Sequence, residues 1–246
     1  MFCLTALSKH VLFPWSMVEL YAKIKESKYL DRLEDMLEMG KSLTSFFVCI
    51  YIIWTAKEIL YYFHPFSSVI SLIVKYLIWI VPVFLYLILV DRIKNPLFYM
   101  KIRDNVPTGI KWGLSIGLML AVIEGYITYS LHGRYNFELG WRWLTTFLFA
   151  FPEEVLFRGF ILQKLSSSMK FTKSNLISSL MFVSIHLPIW LTSGGASLQK
   201  LFGNGLTVFL IGCVLGYLVK RTNSLWSSAI VHTIYNLLIY LRTTGV

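Results

Sequence analysis

Runs of about 20 apolar residues recur along this sequence, and they constrain its fold more than any other feature. A helix of that length crosses the roughly 30 Å of hydrocarbon in a bilayer. Only 15% of the residues are charged, against about a quarter in a soluble domain. The sequence therefore predicts an all-α, polytopic transmembrane bundle. Seven spans are expected, at 44–63, 67–90, 108–131, 142–165, 174–191, 202–219 and 223–241.

The residues before the first span differ in composition. Residues 1–43 contain six basic and six acidic side chains. Five apolar residues recur there at near-helical spacing: Leu20, Ile24, Leu30, Leu33 and Leu37. This pattern is typical of an amphipathic helix at the membrane interface, and equally of a solvated helical arm. We therefore expect an arm over 1–43, N-terminal transmembrane helices over 44–107 and a transmembrane core over 108–246.

Basic residues are distributed unequally between the two sets of loops. The arm has six Lys or Arg and the 91–107 loop has four, whereas the loops on the alternate side are poor in both. The positive-inside rule then places the N-terminus in the cytoplasm. Few Pro and Gly, with many Ile, Lys, Tyr and Asn, indicate an AT-rich bacterial genome. We therefore expect an integral protein of a bacterial plasma membrane. The net charge of +10 lies in loops near lipid, and no basic stripe interleaved with aromatics indicates nucleic-acid binding.

Ionisable and amide side chains lie inside four of the predicted spans. Such a residue at mid-membrane costs about 2.5–3.5 kcal/mol on insertion scales and faces a bundle interior or an aqueous cavity. The fourth span contains Glu153, Glu154 and Arg158, the fifth His186, the seventh His232 and Asn236, and the third a lone Glu124 without an evident partner. The cysteines lack the spacing of a disulfide framework or a zinc–thiolate site.

Depth and spacing connect these residues. Glu153, His186, His232 and Asn236 all lie roughly 13–20 Å from the predicted cytoplasmic helix ends, at 1.5 Å per residue. Three helices would thus bring acid, imidazole and amide groups to one level, which suits a substrate that enters from the inner leaflet. We expect the four side chains to line a single wet pocket.

Helical spacing also predicts how the two glutamates differ. Residues four apart share a helix face, so Glu154 is expected to pair with Arg158, and His232 and Asn236 to act together. Glu153 lies about 100° away and is expected to face the histidines. Pro152 should kink or loosen the fourth span just before the glutamates.

A second proline, Pro188, should likewise loosen the fifth span after His186.

This set of groups is sufficient for peptide hydrolysis. A carboxylate with a histidine can hold and deprotonate water, and a second histidine with an asparagine amide can donate to an oxyanion. Glu153, His186 and His232 also meet the ligand count of a catalytic zinc site. No HExxH motif of a zincin helix occurs. Residue types alone leave the metal-free and the zinc chemistry open.

Three motifs resemble those of a known family. "EEVLFR" matches EExxxR, "FVSIH" at 182–186 matches FxxxH, and "HTIYN" at 232–236 matches HxxxN. The chain from about 140 to 241 resembles the CAAX-protease and bacteriocin-processing (CPBP, or Abi) intramembrane endopeptidases, which include the type II CAAX prenyl endopeptidases. The resemblance implies that Glu153 and His186 activate water, while His232 and Asn236 form the oxyanion hole.

The resemblance further implies that Glu154 and Arg158 support the site and that no cofactor is required, with zinc as the alternative. The expected partners are membrane lipid and a peptide or lipidated-protein substrate, either a prenylated CAAX protein or a bacterial peptide precursor. A different class of function stays open, namely a non-enzymatic immunity protein or a proton-linked carrier. The sequence indicates no oligomeric state.

Overall fold

A computed structural model describes residues 15–132, 135, 137–192 and 197–243, and every regular element within those ranges is helical. The all-α prediction is confirmed. The α-helices are α1 Trp15–Phe63, α2 Ser68–Leu85, α3 Pro96–Tyr99, α4 Val106–His132, α5 Arg142–Glu154, α6 Leu162–Ser168, α7 Phe171–Ser184, α8 Leu187–Thr192, α9 Leu198–Thr222 and α10 Leu225–Thr243. Two π-helical segments, Tyr86–Val90 and Val155–Ile161, extend α2 and join α5 to α6.

Among the described residues, five helical stretches are long and apolar enough to cross a membrane. They are Tyr29–Phe63, Ser68–Val90, Val106–Ser130, Phe171–Thr192 and Leu198–Thr222. They correspond to five of the seven predicted spans. The other two predicted spans, 142–165 and 223–241, are also helical but contain more polar groups. The exact number of spans stays a prediction.

α1, Trp15–Phe63, includes residues of both the predicted arm and the first predicted span. The chain divides into two compact units between Phe47 and Val48, which are described separately. In the arm, Leu30, Leu33 and Leu37 are exposed. Residues 1–14, and the side chains of Leu20 and Ile24, lie outside the described part of the structure. The predicted domain limits at 43/44 and 107/108 stay predictions.

The two helices that carry Glu153, Glu154 and His232, namely α5 and α10, lie at the centre of the second unit. α10 packs against α4, α5 and α9, while α5 and its π-helical extension also contact α2 and α7. All seven residues of the segment Val155–Ile161 are buried. Because protein surrounds these helices, their polar side chains can be satisfied by other helices instead of facing hydrocarbon.

Glycines bring α4 close to α10. Gly109, Gly113 and Gly117 recur at every fourth position of α4. A Cβ at Gly113 would lie 2.9 Å from the Cβ of Ile230 on α10, too close for any residue but glycine without displacement. Small residues at this spacing let two helix backbones approach closely. In lipid, where the hydrophobic effect does not drive helices together, the van der Waals contacts of such a close approach stabilise the helix pair.

A second pair of glycines brings α9 against α7. A Cβ at Gly212 would lie 3.1 Å from the Cβ of Ser179, and one at Gly216 would collide with the amide oxygen of Asn175. The close approach lets the Asn175 amide donate a hydrogen bond to the Cys213 carbonyl at 2.9 Å. Packing and interhelical hydrogen bonding therefore act at the same contact.

Gly216→Ala should destabilise the bundle, because the added methyl group displaces Asn175 and its hydrogen bond. Overpacking of this kind costs about 1–3 kcal/mol. Thermal unfolding of the purified protein in detergent measures the loss. Gly203→Ala is the matched control on the same helix, since a Cβ there has no atom within 4 Å. Equal transition temperatures for the two variants would contradict the close contact between α7 and α9.

Candidate active site

The two glutamates sit where the helical hydrogen-bonding pattern changes. Glu153 and Glu154 are the last residues of α5, and the π-helical segment Val155–Ile161 follows at once. α5 continues through Pro152, where the sequence predicts a kink or loosening, and the helix widens directly after the glutamates. Single π-helical turns inside α-helices are frequent at functional sites. Here the wider turn contains Arg158.

Glu154 lies at the centre of a buried charge network. Its Oε1 accepts hydrogen bonds from Arg158 at 3.0 Å and from Nδ1 of His232 at 2.8 Å. Glu154 is 0% exposed and Arg158 is 1% exposed. The predicted Glu154–Arg158 pair is therefore confirmed. An ionised carboxylate only accepts hydrogen bonds, so the contact requires a proton on Nδ1 of His232.

Arg158 has two further contacts from neighbouring helices. Its second guanidinium nitrogen donates to the Gly212 carbonyl on α9 at 3.3 Å. Its guanidinium also lies over the ring of Phe182 on α7, 4.2 Å from the centroid. The planar cation is thus held by a carboxylate, a carbonyl and an aromatic face, which suits arginine better than lysine.

Glu153 faces a different set of side chains. Its Oε2 is 3.7 Å from Nε2 of His232, as expected for a carboxylate turned toward a histidine. Its Oε1 forms a 2.5 Å ion pair with Nζ of Lys75 on α2, which the sequence did not predict. His232 therefore lies between the two glutamates, with one ring nitrogen directed at each.

His186 lies at a break between two helices. α7 ends at Ser184 and α8 begins at Leu187, so the predicted loosening near Pro188 is present as a two-residue turn. Nδ1 of His186 is 2.8 Å from the Phe182 carbonyl. A carbonyl only accepts, so Nδ1 carries the proton and the neutral ring has a free lone pair on Nε2.

Two cavities meet at His186. One of about 420 Å³ is lined by Glu153, Lys75 and His186, and another of about 410 Å³ is lined by His186, His232 and Asn236. The expected single pocket is thus two cavities that share one imidazole. Within the described part of the chain, the Asn236 side-chain amide has no hydrogen-bond partner, so its donors are available to a ligand.

Both cavities extend toward the helix ends that carry few basic residues. The first reaches Ser68 and Arg142, the opening residues of α2 and α5, and the second reaches Arg242 near the end of α10. Residues beside the 91–107 loop line neither of these two cavities. Entry of the substrate from the inner leaflet stays a prediction.

The predicted zinc ligands do not fit a metal ion in this arrangement. Among the described residues, no group of three or more His, Cys, Asp or Glu side chains is placed to hold one. The Lys75 ammonium contacts Glu153, and Nδ1 of His232 is bound to Glu154. Two of the three candidate ligands, Glu153 and His232, are thus already bound by protein groups.

Two other polar groups lie outside the catalytic cluster. Glu124, which had no evident partner in the sequence, forms a 2.9 Å ion pair with Arg242 that is partly exposed. Ser115 lies in "GLSIG", the spacing of a serine nucleophile elbow. It is exposed in the middle of α4, without the strand-to-helix turn that such an elbow requires. It is therefore not a nucleophile candidate.

Sequence reasoning missed Lys75, and a signal for it was present. Lys75 lies inside the apolar span of α2, where an ionisable residue usually marks a functional site. Nothing in the linear sequence indicated that α2 would pack against α5 and bring Lys75 to Glu153.

Arg158→Met should destabilise the protein by about 3–5 kcal/mol, because it leaves the buried Glu154 carboxylate undercompensated. Thermal unfolding measures the change, and adding Glu154→Gln should recover part of it. Glu124→Gln is the matched control at the exposed Glu124–Arg242 pair, where less than about 1 kcal/mol is expected. Additive losses in the Glu154/Arg158 double variant would contradict direct coupling.

Comparison with known proteins agrees with this site. Residues 135–238 match the family model described as type II CAAX prenyl endopeptidase Rce1-like. Neither the curated proteins nor the solved structures contain a significant match. The matched family is a protease family, and with the apolar helices it supports an integral membrane protein that acts as an intramembrane endopeptidase. The chain therefore carries, over residues 135–238, a domain of the Rce1-like type II CAAX prenyl endopeptidase family, in agreement with its resemblance to the CPBP proteins.

Proposed function

We propose that this protein hydrolyses a peptide bond within the membrane, using water activated by Glu153 and His186 and an oxyanion hole made by His232 and Asn236. One observation carries the proposal: Glu153 and His186 line one cavity, and His186 also lines the cavity that contains His232 and Asn236. A substrate carbonyl carbon placed beside His186 would have the water-activating groups on one side and the hydrogen-bond donors of His232 and Asn236 on the other.

Water activation uses one atom of each basic group. Oε1 of Glu153 is bound by Lys75, which leaves Oε2 to accept a proton from water. Nε2 of His186 has a free lone pair, because Nδ1 donates to the Phe182 carbonyl. Water held between these two acceptors would lose its proton to the carboxylate as its oxygen attacks the carbonyl carbon. The protonated carboxyl group would then pass that proton to the departing amine.

The oxyanion would be stabilised from the second cavity. Asn236 supplies amide N–H donors that have no partner among the described residues. His232 has its Nδ1 proton committed to Glu154, so donation from Nε2 requires the imidazolium form. Donors fixed in advance in a water-poor site are typically the largest contribution to such catalysis.

For the substrate, we propose a prenylated CAAX protein or a bacterial peptide precursor, presented from the lipid. The description of the matched family supports the first. The cavities support a peptide, because charged and hydroxyl side chains line the Glu153 side and several apolar side chains line the His232 side. Membrane lipid is the expected surrounding partner.

Glu153→Gln should abolish cleavage while the protein stays folded, because the amide cannot accept the proton from water. The assay uses purified protein in liposomes with an internally quenched peptide that ends in a farnesylated Cys-aliphatic-aliphatic-X sequence. The same peptide without the prenyl group, and peptidomics of cells expressing each variant, test the second substrate class. Glu138→Gln, an identical change at an exposed loop residue, is the control and should retain activity. Full activity of Glu153→Gln would refute the mechanism, and no cleavage by the unmodified protein in either assay would favour an immunity protein or a carrier.

Asn236→Ala should lower kcat by about 100- to 1,000-fold with little change in KM, since the amide acts on charge that develops in the transition state. Steady-state kinetics on the same peptide separate the two constants. A variant with raised KM and unchanged kcat would show that Asn236 binds substrate without stabilising the oxyanion.

Chelation with EDTA or 1,10-phenanthroline should leave cleavage unchanged, because protein groups already bind Glu153 and His232. Activity before and after chelation, and after addition of Zn²⁺, measures this. Loss on chelation with recovery on zinc addition would establish the metal alternative.

A further inference from the structure

We infer that Lys75 is a positioning residue of the proposed active site, acting through Glu153. Its ammonium holds one oxygen of that carboxylate and leaves the other for water. The inference rests on the proposed function. Lys75 lies on α2, outside the matched residues 135–238.

Burying the Lys75 ammonium inside the bundle costs free energy, and a role in the site would account for that cost. It is the eighth residue of α2, and its side chain is only 6% exposed. A lysine near a helix end normally extends its ammonium to the interface. Here Nζ instead lies 2.5 Å from Glu153 Oε1. A buried ion pair of this kind is not in general more stable than apolar packing, so stability alone does not account for it.

Aromatic rings restrict where the ammonium can lie. Nζ of Lys75 is 4.7 Å from the ring centroid of Trp79, 5.6 Å from that of Phe149 and 5.7 Å from that of Trp54. Rings within about 6 Å attract a cation electrostatically and supply no competing acceptor on their faces. Glu153 is then the carboxylate that this cation contacts.

The same surroundings connect Lys75 to the second basic group. The indole N–H of Trp54 donates to the Ile185 carbonyl at 3.0 Å, in the turn that carries His186. The Trp54 ring also packs edge-on against Trp79 at 4.7 Å. One aromatic cluster therefore holds both the cation beside Glu153 and the backbone next to His186, which fixes the two groups that would share the water.

Lys75 gives each glutamate of the cluster its own cationic partner. Glu153 and Glu154 contribute two negative charges, and Lys75 and Arg158 contribute two positive ones. Without Lys75, Glu153 would depend on His232, 3.7 Å away, for compensation. Its two oxygens would then be free to rotate, and the oxygen directed at water would no longer be defined. Misplacement by about 1 Å can cost 100-fold in rate.

The test separates the effect of the charge at position 75 from the effect of the side-chain length and shape. In a cysteine-free parent, Lys75→Cys is alkylated with 2-bromoethylamine, which rebuilds the lysine length and charge, or with 1-bromopropane, which rebuilds the length alone. Mass spectrometry verifies alkylation. We expect Lys75→Met and the propylated protein to lose about 100-fold or more in kcat with KM within threefold, and the aminoethylated protein to regain at least a tenth of the parent kcat. Equal activity of the two alkylated proteins, or full activity of Lys75→Met, would overturn the inference.

Two controls separate this role from folding and from the proposed function. Lys164→Met removes a comparable lysine, which pairs with Asp91 and lies 5.0 Å from the centroid of the Tyr86 ring, and neither cavity includes it; its kcat should be unchanged. Thermal unfolding should show Lys75→Met destabilised and Lys75→Met/Glu153→Gln partly restored, and a further loss in the double variant would overturn the pairing. Full activity of Lys75→Met with an inactive Glu153→Gln refutes only the role of Lys75, whereas an active Glu153→Gln refutes the proposed function.

Discussion

The burial of the Glu154 carboxylate is the constraint on which the rest of the site depends. A fully buried carboxylate costs several kcal/mol unless charged and hydrogen-bonding partners surround it. Arg158 from the next turn and His232 from α10 supply those partners. Arg158 in turn needs the Gly212 carbonyl of α9 and the Phe182 ring of α7. A single carboxylate thus requires α5, α7, α9 and α10 to meet at one point, and the glycine contacts of α9 bring its backbone close enough to take part.

Glu153, one residue earlier, uses this rigid support for a different purpose. Because adjacent residues on a helix point about 100° apart, it turns away from Arg158 and toward Lys75 and the first cavity. His232 links the two glutamates through its two ring nitrogens. The structure therefore separates a carboxylate that stabilises the cluster from one that is accessible to a ligand, which is the arrangement that water activation needs.

Prediction from sequence succeeded where the interaction is local. The pair Glu154–Arg158, the shared cavity of His232 and Asn236, and the loosening near Pro188 all follow from helical periodicity or from the missing N–H of proline. It did not reach the features that helix packing decides. The π-helical segment after Glu154, and the arrangement of the site residues around two cavities that share His186, depend on neighbouring helices that the local pattern does not describe.

The sequence by itself determined that the chain is an all-α membrane bundle and that its candidate site residues lie in three motifs of the C-terminal part, because apolar length and helical spacing are properties of consecutive residues. Only the tertiary structure decided that α2 lies against α5, which brings Lys75 to Glu153 across 78 positions of sequence, and that α1 brings Trp54 to the turn before His186. The partner of a buried charge is chosen by which helices pack together, and in lipid that choice depends on shape, small residues and scattered polar contacts rather than on hydrophobic pattern.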